Sequence, residues 1–165
     1  MSQTVLITGA SNGIGKACAR VFARKGYDLV LVARHREKLE AVKAELSEYN
    51  VQIKVIAMDL TGEDAAIDLY NDLVLDDINI DILVNNAGFG DHGAFHDSSW
   101  EKQKKMVLLN IVALMQMSYV FGQAMKRRKK GRILNVASIA GLCAGPYMST
   151  YYATKAFVLS FSESI

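Results

Sequence analysis

Residues 4–15 have the sequence TVLITGASNGIG, in which a short β-branched run passes directly into a glycine-rich turn. The run is typical of a buried strand, and residues 13–26 carry apolar side chains at helical spacing and end in a glycine. A glycine turn between a strand and a helix lets a ligand approach the backbone closely, and the helix N-terminus offers free N–H groups to a phosphate. The stretch therefore predicts a nucleotide-binding strand–turn–helix unit, with an ordinary glycine-rich connection as the alternative.

The same alternation of strand and helix continues along the chain. The further strand candidates are YDLVLVA, VQIKVIAMDL, IDILVNNAG and GRILNVAS. The further helix candidates are REKLEAVKAELSEY, TGEDAAIDLYNDL with a Thr61 cap, one long helix with a Ser98–Glu101 capping box, and a last helix from Ser149. This order predicts an α/β fold with a doubly wound parallel sheet and helices on both faces. Ligands of such sheets bind at the carboxyl ends of the strands.

Composition and charge argue against several classes of protein. The chain has 165 residues, of which 51% are apolar and 22% charged, which predicts one globular domain with a buried core. The formal net charge of +2 is too small to indicate nucleic acid or an anionic membrane as a partner. The first residues show no signal-peptide pattern, and we expect no apolar stretch as long as a membrane span. These features predict a soluble, cytoplasmic protein.

Three other groups of residues are better explained without special chemistry. Cys18 and Cys143 lie far apart and predict free thiols in a reducing compartment. His92 and His96 lie four apart in DHGAFHD, but the glycine between them favours a loop, so we expect no metal site. The basic run KRRKK at 126–130 suits the solvated C-terminus of a helix, where cations complement the helix dipole.

Four motifs together resemble the classical short-chain dehydrogenase/reductase family. They are the Gly-x-x-x-Gly-x-Gly loop at 9–15, Asn-Asn-Ala-Gly at 85–88, Ser138 after the fifth strand, and Tyr151-x-x-x-Lys155. Each is weak alone, but all four occur in order on the expected elements, and the resemblance extends from residue 4 to the end of the chain. The resemblance implies a Rossmann fold, and an oxidoreductase that transfers a hydride between a nicotinamide cofactor and a secondary alcohol or carbonyl compound.

Tyr151 is the candidate general acid/base. Residues four apart on a helix share a face, so Tyr151 lies beside Lys155, whereas Tyr152 points elsewhere and Tyr147 falls in a loop with Pro146. Free tyrosine has a pKa of about 10 and needs a neighbouring cation to act as an acid/base near neutral pH. We expect Tyr147 and Tyr152 to be pocket or packing residues.

The resemblance implies roles for three further polar side chains. Ser138 would hydrogen-bond the substrate oxygen, Lys155 would also hold the nicotinamide ribose, and Asn110 would join a water relay toward Lys155. Asn110 has an independent argument, because an asparagine inside the apolar stretch VLLNIVAL is costly unless its amide is hydrogen-bonded. The sequence therefore predicts a buried polar network around Asn110.

The second strand candidate favours NADP(H) over NAD(H). It ends in Ala33 and Arg34, where an acidic residue would suit a ribose hydroxyl and arginine suits a 2′-phosphate. The alternative is that Arg34, Arg36 and Lys38 only solvate a loop and helix start. Asn12 stands where many NADP users carry a basic residue. The resemblance implies that the cofactor is bound by Gly9, Ser11, Asn12, Gly13, Ile14, Gly15, Arg34, Asp59, Leu60, Asn86, Ala87, Gly88, Tyr151 and Lys155.

The chain is shorter than the resemblance implies. Members of the family usually have about 250 residues in this domain, so we expect residues 1–165 to form one NAD(P)-binding Rossmann domain that is incomplete at its C-terminus. The fifth strand would then be a long apolar sheet edge. A non-catalytic nucleotide-binding or assembly module is therefore the alternative to an NADP-dependent oxidoreductase. The resemblance also implies a homodimer or homotetramer, formed through the long helix and the Tyr151 helix, and a small-molecule substrate.

Overall fold

A parallel sheet organises the protein. The computed structural model describes residues 2–165, and within them the sheet has five strands in the order β3-β2-β1-β4-β5. All of its strand pairings are parallel. The strands are β1 (Thr4–Thr8), β2 (Asp28–Ala33), β3 (Ile53–Ala57), β4 (Ile82–Asn85) and β5 (Arg132–Asn135). The predicted doubly wound α/β sheet is confirmed. Met1, the first residue of the predicted domain, lies outside the described residues.

Helices cover both faces of the sheet. They are α1 (Gly13–Arg24), α2 (Arg36–Glu45), α3 (Ala65–Leu75), α4 (Trp100–Val107), α5 (Leu114–Arg128) and α6 (Ser149–Ser164). Successive strand residues point to opposite faces, so Leu6 packs with α3 and α5 in one core, while Val5 and Ile7 pack with α1 and α2 in the other. Burial on both faces explains why the strands are continuous apolar runs rather than alternating ones.

The predicted long helix and the predicted helix caps need correction. A π-helical segment, Leu108–Ala113, joins α4 to α5. The helix begins at Trp100, and the Ser98 hydroxyl donates to the Phe95 carbonyl, so the expected Ser98–Glu101 capping box is not formed. Likewise α3 begins only at Ala65, and the Thr61 hydroxyl donates to the Asp59 carboxylate instead of capping the helix. In both places a local loop acceptor competes successfully for the side chain.

The expectation that no stretch reaches the length of a membrane span is wrong for Trp100–Arg128. This helix has 29 residues and an 18-residue window with a mean hydropathy of 1.4, so its length and composition would suffice. A core helix can have the same length and composition. Leu114, Met117 and Phe121 of this helix are buried against the sheet, as in a core helix.

β5 forms one edge of the sheet, but it is not the long apolar edge that the sequence predicts. It has four residues, begins with Arg132 and exposes 48% of Leu134. A cavity of about 470 Å³ lies beside it, between α5 and α6, and is lined mostly by apolar side chains such as Tyr119 and Phe161. A short edge that begins with a charged residue presents little backbone for pairing with another strand.

The turn between β1 and α1 leaves no room for a side chain at Gly15. A Cβ built there would lie 2.5 Å from the Asn86 amide nitrogen and closer still to the Gly9 carbonyl oxygen. We expect Gly15→Ala to lower the free energy of unfolding by about 1–3 kcal/mol, because the clash is with backbone that cannot move aside. Urea denaturation measures the change. Gly62→Ala is the matched control, since its nearest neighbour would be an ordinary 3.6 Å away; equal losses in the two variants would contradict the explanation.

Candidate active site

Thr8 and Asn86 hold the glycine turn against the turn that follows β4. The Thr8 hydroxyl oxygen accepts hydrogen bonds from the backbone N–H groups of Asn86 and Ala87, both at 3.0 Å. In return, the Asn86 side-chain amide donates to the carbonyl oxygens of Thr8 at 2.9 Å and Gly9 at 3.2 Å. The turn requires left-handed backbone at Gly9 (φ +66°) and at Gly13 (φ +50°), which glycine adopts without strain. The Asn86 amide is therefore already engaged with the protein backbone.

A continuous groove follows the carboxyl ends of the strands. One part, of about 300 Å³, lies beside Arg34 and Asp59, and a second part, of about 530 Å³, lies beside Tyr151. The two parts share the lining residues Gly9, Asn12, Ala87, Gly88 and Phe89. The predicted site residues that line the groove are Gly9, Ser11, Asn12, Ile14, Arg34, Asp59, Leu60, Asn86, Ala87, Gly88, Ser138, Tyr151 and Lys155; Gly13, Gly15 and Asn110 do not. An elongated ligand would fit this shape.

The Arg34 end of the groove is lined by two basic side chains, Arg34 and Lys38, and by the carboxylate of Asp59. Arg36 is paired with Glu40 at 3.6 Å, whereas among residues 2–165 neither Arg34 nor Lys38 has a salt-bridge partner. The Asp59 carboxylate accepts hydrogen bonds from the Thr61 N–H at 3.0 Å and its hydroxyl at 2.9 Å. The Thr61 backbone bond is the largest cause that lowers the pKa of Asp59 below its ordinary value. This end can therefore offer positive charge to an anion and acceptor oxygens to a donor.

Tyr151 and Lys155 meet at the other end of the groove, as their spacing on α6 predicts. Lys155 is buried, and its ammonium nitrogen lies 6.0 Å from the centre of the Tyr151 ring. That nitrogen donates to the Val136 carbonyl oxygen at 2.7 Å. Burial lowers the pKa of Lys155 below its ordinary value, because a buried ammonium loses its hydration. Within the described part of the chain, the Tyr151 hydroxyl has no hydrogen-bond partner, although the groove reaches it.

Ser138 lies at the start of the short 3₁₀ turn Ile139–Leu142. Its hydroxyl oxygen accepts a hydrogen bond from the Ala140 N–H at 3.1 Å, which leaves the hydroxyl proton able to donate. This turn packs directly on α6: a Cβ built at Gly141 would lie 2.7 Å from the Lys155 carbonyl oxygen. The packing therefore fixes Ser138 relative to the helix that carries Lys155.

The other two tyrosines lie outside the groove lining. The Tyr152 ring packs against Gly145, as a packing residue would. Tyr147 is in a loop, as predicted, and is 62% exposed, so it is not buried packing. Neither tyrosine is among the residues that line the groove.

Asn110 is the centre of the predicted buried polar network. Its side-chain oxygen accepts from the Phe89 N–H at 3.1 Å, and its amide nitrogen donates to the Phe89 carbonyl at 2.9 Å and to the Thr154 hydroxyl at 3.1 Å. The Thr154 hydroxyl donates in turn to the Tyr151 carbonyl at 2.7 Å. Asn110 lies in the π-helical segment, a feature that often occurs at functional sites. Direct contacts thus join the long helix, the β4 turn and α6, and the water relay toward Lys155 stays a prediction.

Four residues of this site escape sequence reasoning. Phe89 and Val136 act through backbone groups, Thr8 acts through a hydroxyl at the end of β1, and Thr154 resembles any threonine in a helix. Only Thr8 could have been found from the sequence. It carries a hydroxyl group at the end of an apolar strand and directly precedes the first glycine of the turn.

Removal of the Asn110 amide tests the network. We expect Asn110→Ala to lower the free energy of unfolding by about 1–3 kcal/mol, since the buried Thr154 hydroxyl and both partly buried backbone groups of Phe89 would lose their partner. The matched control is Gln123→Ala on the exposed side of α5, for which we expect a change within about 0.5 kcal/mol. Chemical denaturation of both variants gives the two values, and a similar loss in both would contradict the role of the network.

Comparison with known proteins extends over nearly the whole chain. Residues 3–165 match the family described as short chain dehydrogenase. Very-long-chain 3-oxoacyl-CoA reductase of Bos taurus is 34% identical over 172 residues, and 17-beta-hydroxysteroid dehydrogenase type 3 of Mus musculus is 37% identical over 173 residues. Each match covers 100% of this chain and 54% of the relative, so the chain spans about half the length of the curated relatives it matches.

Solved structures agree with the sequence comparison. The bulky-bulky ketone specific alcohol dehydrogenase from Comamonas testosteroni has a TM-score of 0.91 and 38% identity, over 98% of this chain and 65% of that one. The short-chain dehydrogenase from Sphingobium yanoikuyae in complex with NADPH has a TM-score of 0.91 and 39% identity, over 98% and 64%. Fold, motifs and sequence similarity lead to one conclusion: this chain belongs to the short-chain dehydrogenase/reductase family.

Proposed function

We propose that this protein is an NADP-dependent oxidoreductase that transfers a hydride between the nicotinamide and a ketone or secondary alcohol, with Tyr151 as the general acid/base. The observation that carries the proposal is that Ser138, Tyr151 and Lys155 line one end of a groove whose other end is lined by Arg34. A reacting carbonyl and the far end of a dinucleotide can occupy such a groove together.

The groove suits a dinucleotide along its whole length. Asn12 precedes α1 without a side-chain cap, so the first N–H groups of the helix are available to a pyrophosphate. Gly9 lines both parts of the groove and has no side chain, so a ligand can approach its backbone closely. Asp59 and Leu60 would hold the adenine end, and Lys155 the nicotinamide ribose. When bound, the nicotinamide supplies or accepts the hydride.

NADP(H) fits the Arg34 end better than NAD(H). A 2′-phosphate carries negative charge, and Arg34 and Lys38 are the lining cations without a salt-bridge partner in residues 2–165. The guanidinium of Arg34 can donate two parallel hydrogen bonds to phosphate oxygens. The NADPH complex of the similar dehydrogenase from Sphingobium yanoikuyae supports the same choice.

Proton transfer would occur between Tyr151 and the substrate oxygen. The free hydroxyl proton of Ser138 would hold that oxygen, and the Tyr151 hydroxyl would give it a proton during reduction or take one during oxidation. The buried Lys155 ammonium would stabilise the phenolate that remains, since an opposite charge nearby favours the ionised form. The Asn110–Thr154 contacts would keep the Tyr151 backbone in place during this exchange.

The substrate we propose is apolar around its carbonyl group. Ile139, which lines the catalytic end, is 85% exposed, and Leu142 on the same turn is 72% exposed. Similar proteins are named for bulky ketones, hydroxysteroids and 3-oxoacyl-CoA.

Cytoplasmic location, a homo-oligomer, and the lack of nucleic-acid and membrane partners stay predictions from the sequence.

Tyr151→Phe tests the catalytic assignment. We expect NADPH-dependent reduction of ketones to fall at least about 100-fold, because the variant retains the ring but has no proton to transfer. NADPH binding, followed by nicotinamide fluorescence, should weaken far less than turnover, because the ring and Lys155 remain in place. Tyr152→Phe is the matched control and should keep full activity. Retained turnover in Tyr151→Phe would refute the assignment, and NADPH binding by the wild-type protein without turnover of any ketone would favour the alternative, a non-catalytic nucleotide-binding module.

Arg34→Ala tests the choice of cofactor. We expect the dissociation constant for NADPH to rise about tenfold or more, since a hydrogen bond to a charged group contributes about 1.5–3 kcal/mol. The dissociation constant for NADH should hardly change. Arg36→Ala is the matched control, because Arg36 is engaged by Glu40. An equal rise in the dissociation constants for NADPH and NADH would contradict recognition of the 2′-phosphate by Arg34. The same rise for NADPH in Arg36→Ala would contradict it as well.

A further inference from the structure

His92 and Tyr147 form a stacked aromatic pair that joins the loop after β4 to the loop before α6. Their ring centres lie 5.8 Å apart with an interplanar angle of 20°. The Gly93 N–H donates to the Tyr147 carbonyl at 2.8 Å, so the loop after β4 is also bonded to the loop before α6. Both rings are exposed, and Tyr147 exposes 62% of its surface. The pair therefore gains little from burial.

The backbone of Tyr147 is in the left-handed region, with φ at +62°. Such a conformation is uncommon for a bulky residue and costs about 1–2 kcal/mol. The other non-glycine residues with positive φ in the described chain, Asn50, Asp77 and Lys129, each follow the end of a helix, where this conformation is common. Strained residues of this kind cluster at ligand clamps and active sites. Stability alone does not explain a tyrosine at this position.

The loops that carry the pair also flank Tyr151. A Cβ built at Gly90 would lie 3.1 Å from the Tyr151 ring and 3.3 Å from the end of the Met148 side chain. His92 follows Gly90 by two residues, and Tyr147 precedes Met148 directly. The loops that carry the two rings therefore border the groove next to the ring that we propose to be catalytic.

The His92–Tyr147 pair presents two exposed ring faces, and the carboxylate next to it in the sequence is paired with α4. Asp91, between Gly90 and His92, is engaged by Lys102 and Gln103 of α4. Aromatic rings attract other rings in offset or edge-to-face arrangements beyond what burial alone provides. A flexible alkyl chain would gain no such preference.

We propose that Tyr147, supported by His92, determines specificity by stacking on a planar aromatic or fused-ring ketone whose carbonyl reaches Ser138 and Tyr151. This inference rests on the proposed function, because it concerns the substrate of the same site. Tyr147 is a specificity-determining residue in this scheme and takes no part in proton transfer. Its ring orients the substrate, so its removal raises KM for aromatic ketones and leaves kcat nearly unchanged.

The experiment compares two ketones of equal carbon number, acetophenone and 2-octanone. Tyr147→Gly removes the ring and suits the positive φ, Tyr147→Phe retains the ring, and Lys129→Gly relieves a similar backbone conformation far from the site. In Tyr147→Gly we expect KM for acetophenone to rise at least about fivefold. KM for 2-octanone and both kcat values should stay within about twofold, and Tyr147→Phe and Lys129→Gly should behave as the wild type.

Direct binding separates this inference from the proposed function. Calorimetry with the NADP⁺-loaded protein should show the same fivefold weaker acetophenone binding in Tyr147→Gly, restored in Tyr147→Phe. If no ketone is turned over but this difference in binding persists, the proposed function fails, and the stacking of an aromatic ketone on Tyr147 stands. The inference would be overturned if Tyr147→Gly weakened the binding of both ketones equally or left acetophenone binding unchanged. It would also be overturned if the wild type bound no measurable acetophenone.

Discussion

The reciprocal hydrogen bonds between Thr8 and Asn86 are the contact on which the candidate site depends. They join the ends of β1 and β4, neighbours in the sheet that are separated by 78 residues in sequence. Backbone carbonyls at a strand end must find partners or water, and here the Asn86 amide supplies them for Thr8 and Gly9. Phe89 lies three residues after Asn86 in the same turn, and Asn110 hydrogen-bonds both its N–H and its carbonyl oxygen. Loss of the contact would therefore disturb the phosphate turn and the catalytic end together.

The catalytic end is built from polar groups that hold each other through backbone atoms. Asn110 connects Phe89 to Thr154, Thr154 connects to the Tyr151 carbonyl, and Lys155 is held by the Val136 carbonyl. Each buried polar group named here has a protein partner, which is the condition under which such a network gives rigidity rather than a penalty. Among residues 2–165, the hydroxyl proton of Ser138 has no acceptor and the Tyr151 hydroxyl has no partner, and a substrate oxygen would meet both groups.

The sequence predicts the parts of this site that depend on spacing, and misses those that depend on tertiary contact. The glycine turn and the Tyr151–Lys155 pair follow from strand–helix order and from helical periodicity. The π-helical segment was not predicted, because six apolar-rich residues do not distinguish a π turn from an α turn. The Ser98 and Thr61 caps were wrong, because loop acceptors compete for the same hydroxyl groups. The role of Val136 is carried by a carbonyl, which every residue has.

The strand order also has a consequence for the order of folding. Thr4 of β1 pairs with Asp28 of the next strand, across α1 alone, whereas Val5 pairs with Ile82 of β4, which follows β2 and β3 in the sequence. Closure of the longer loop costs more chain entropy, so we expect β3, β2 and β1 to associate before β4 joins them. The groove needs both sides of the β1–β4 junction and so forms in the last step. A dinucleotide would therefore recognise only the completed sheet, and its binding would shift the folding equilibrium of the protein as a whole.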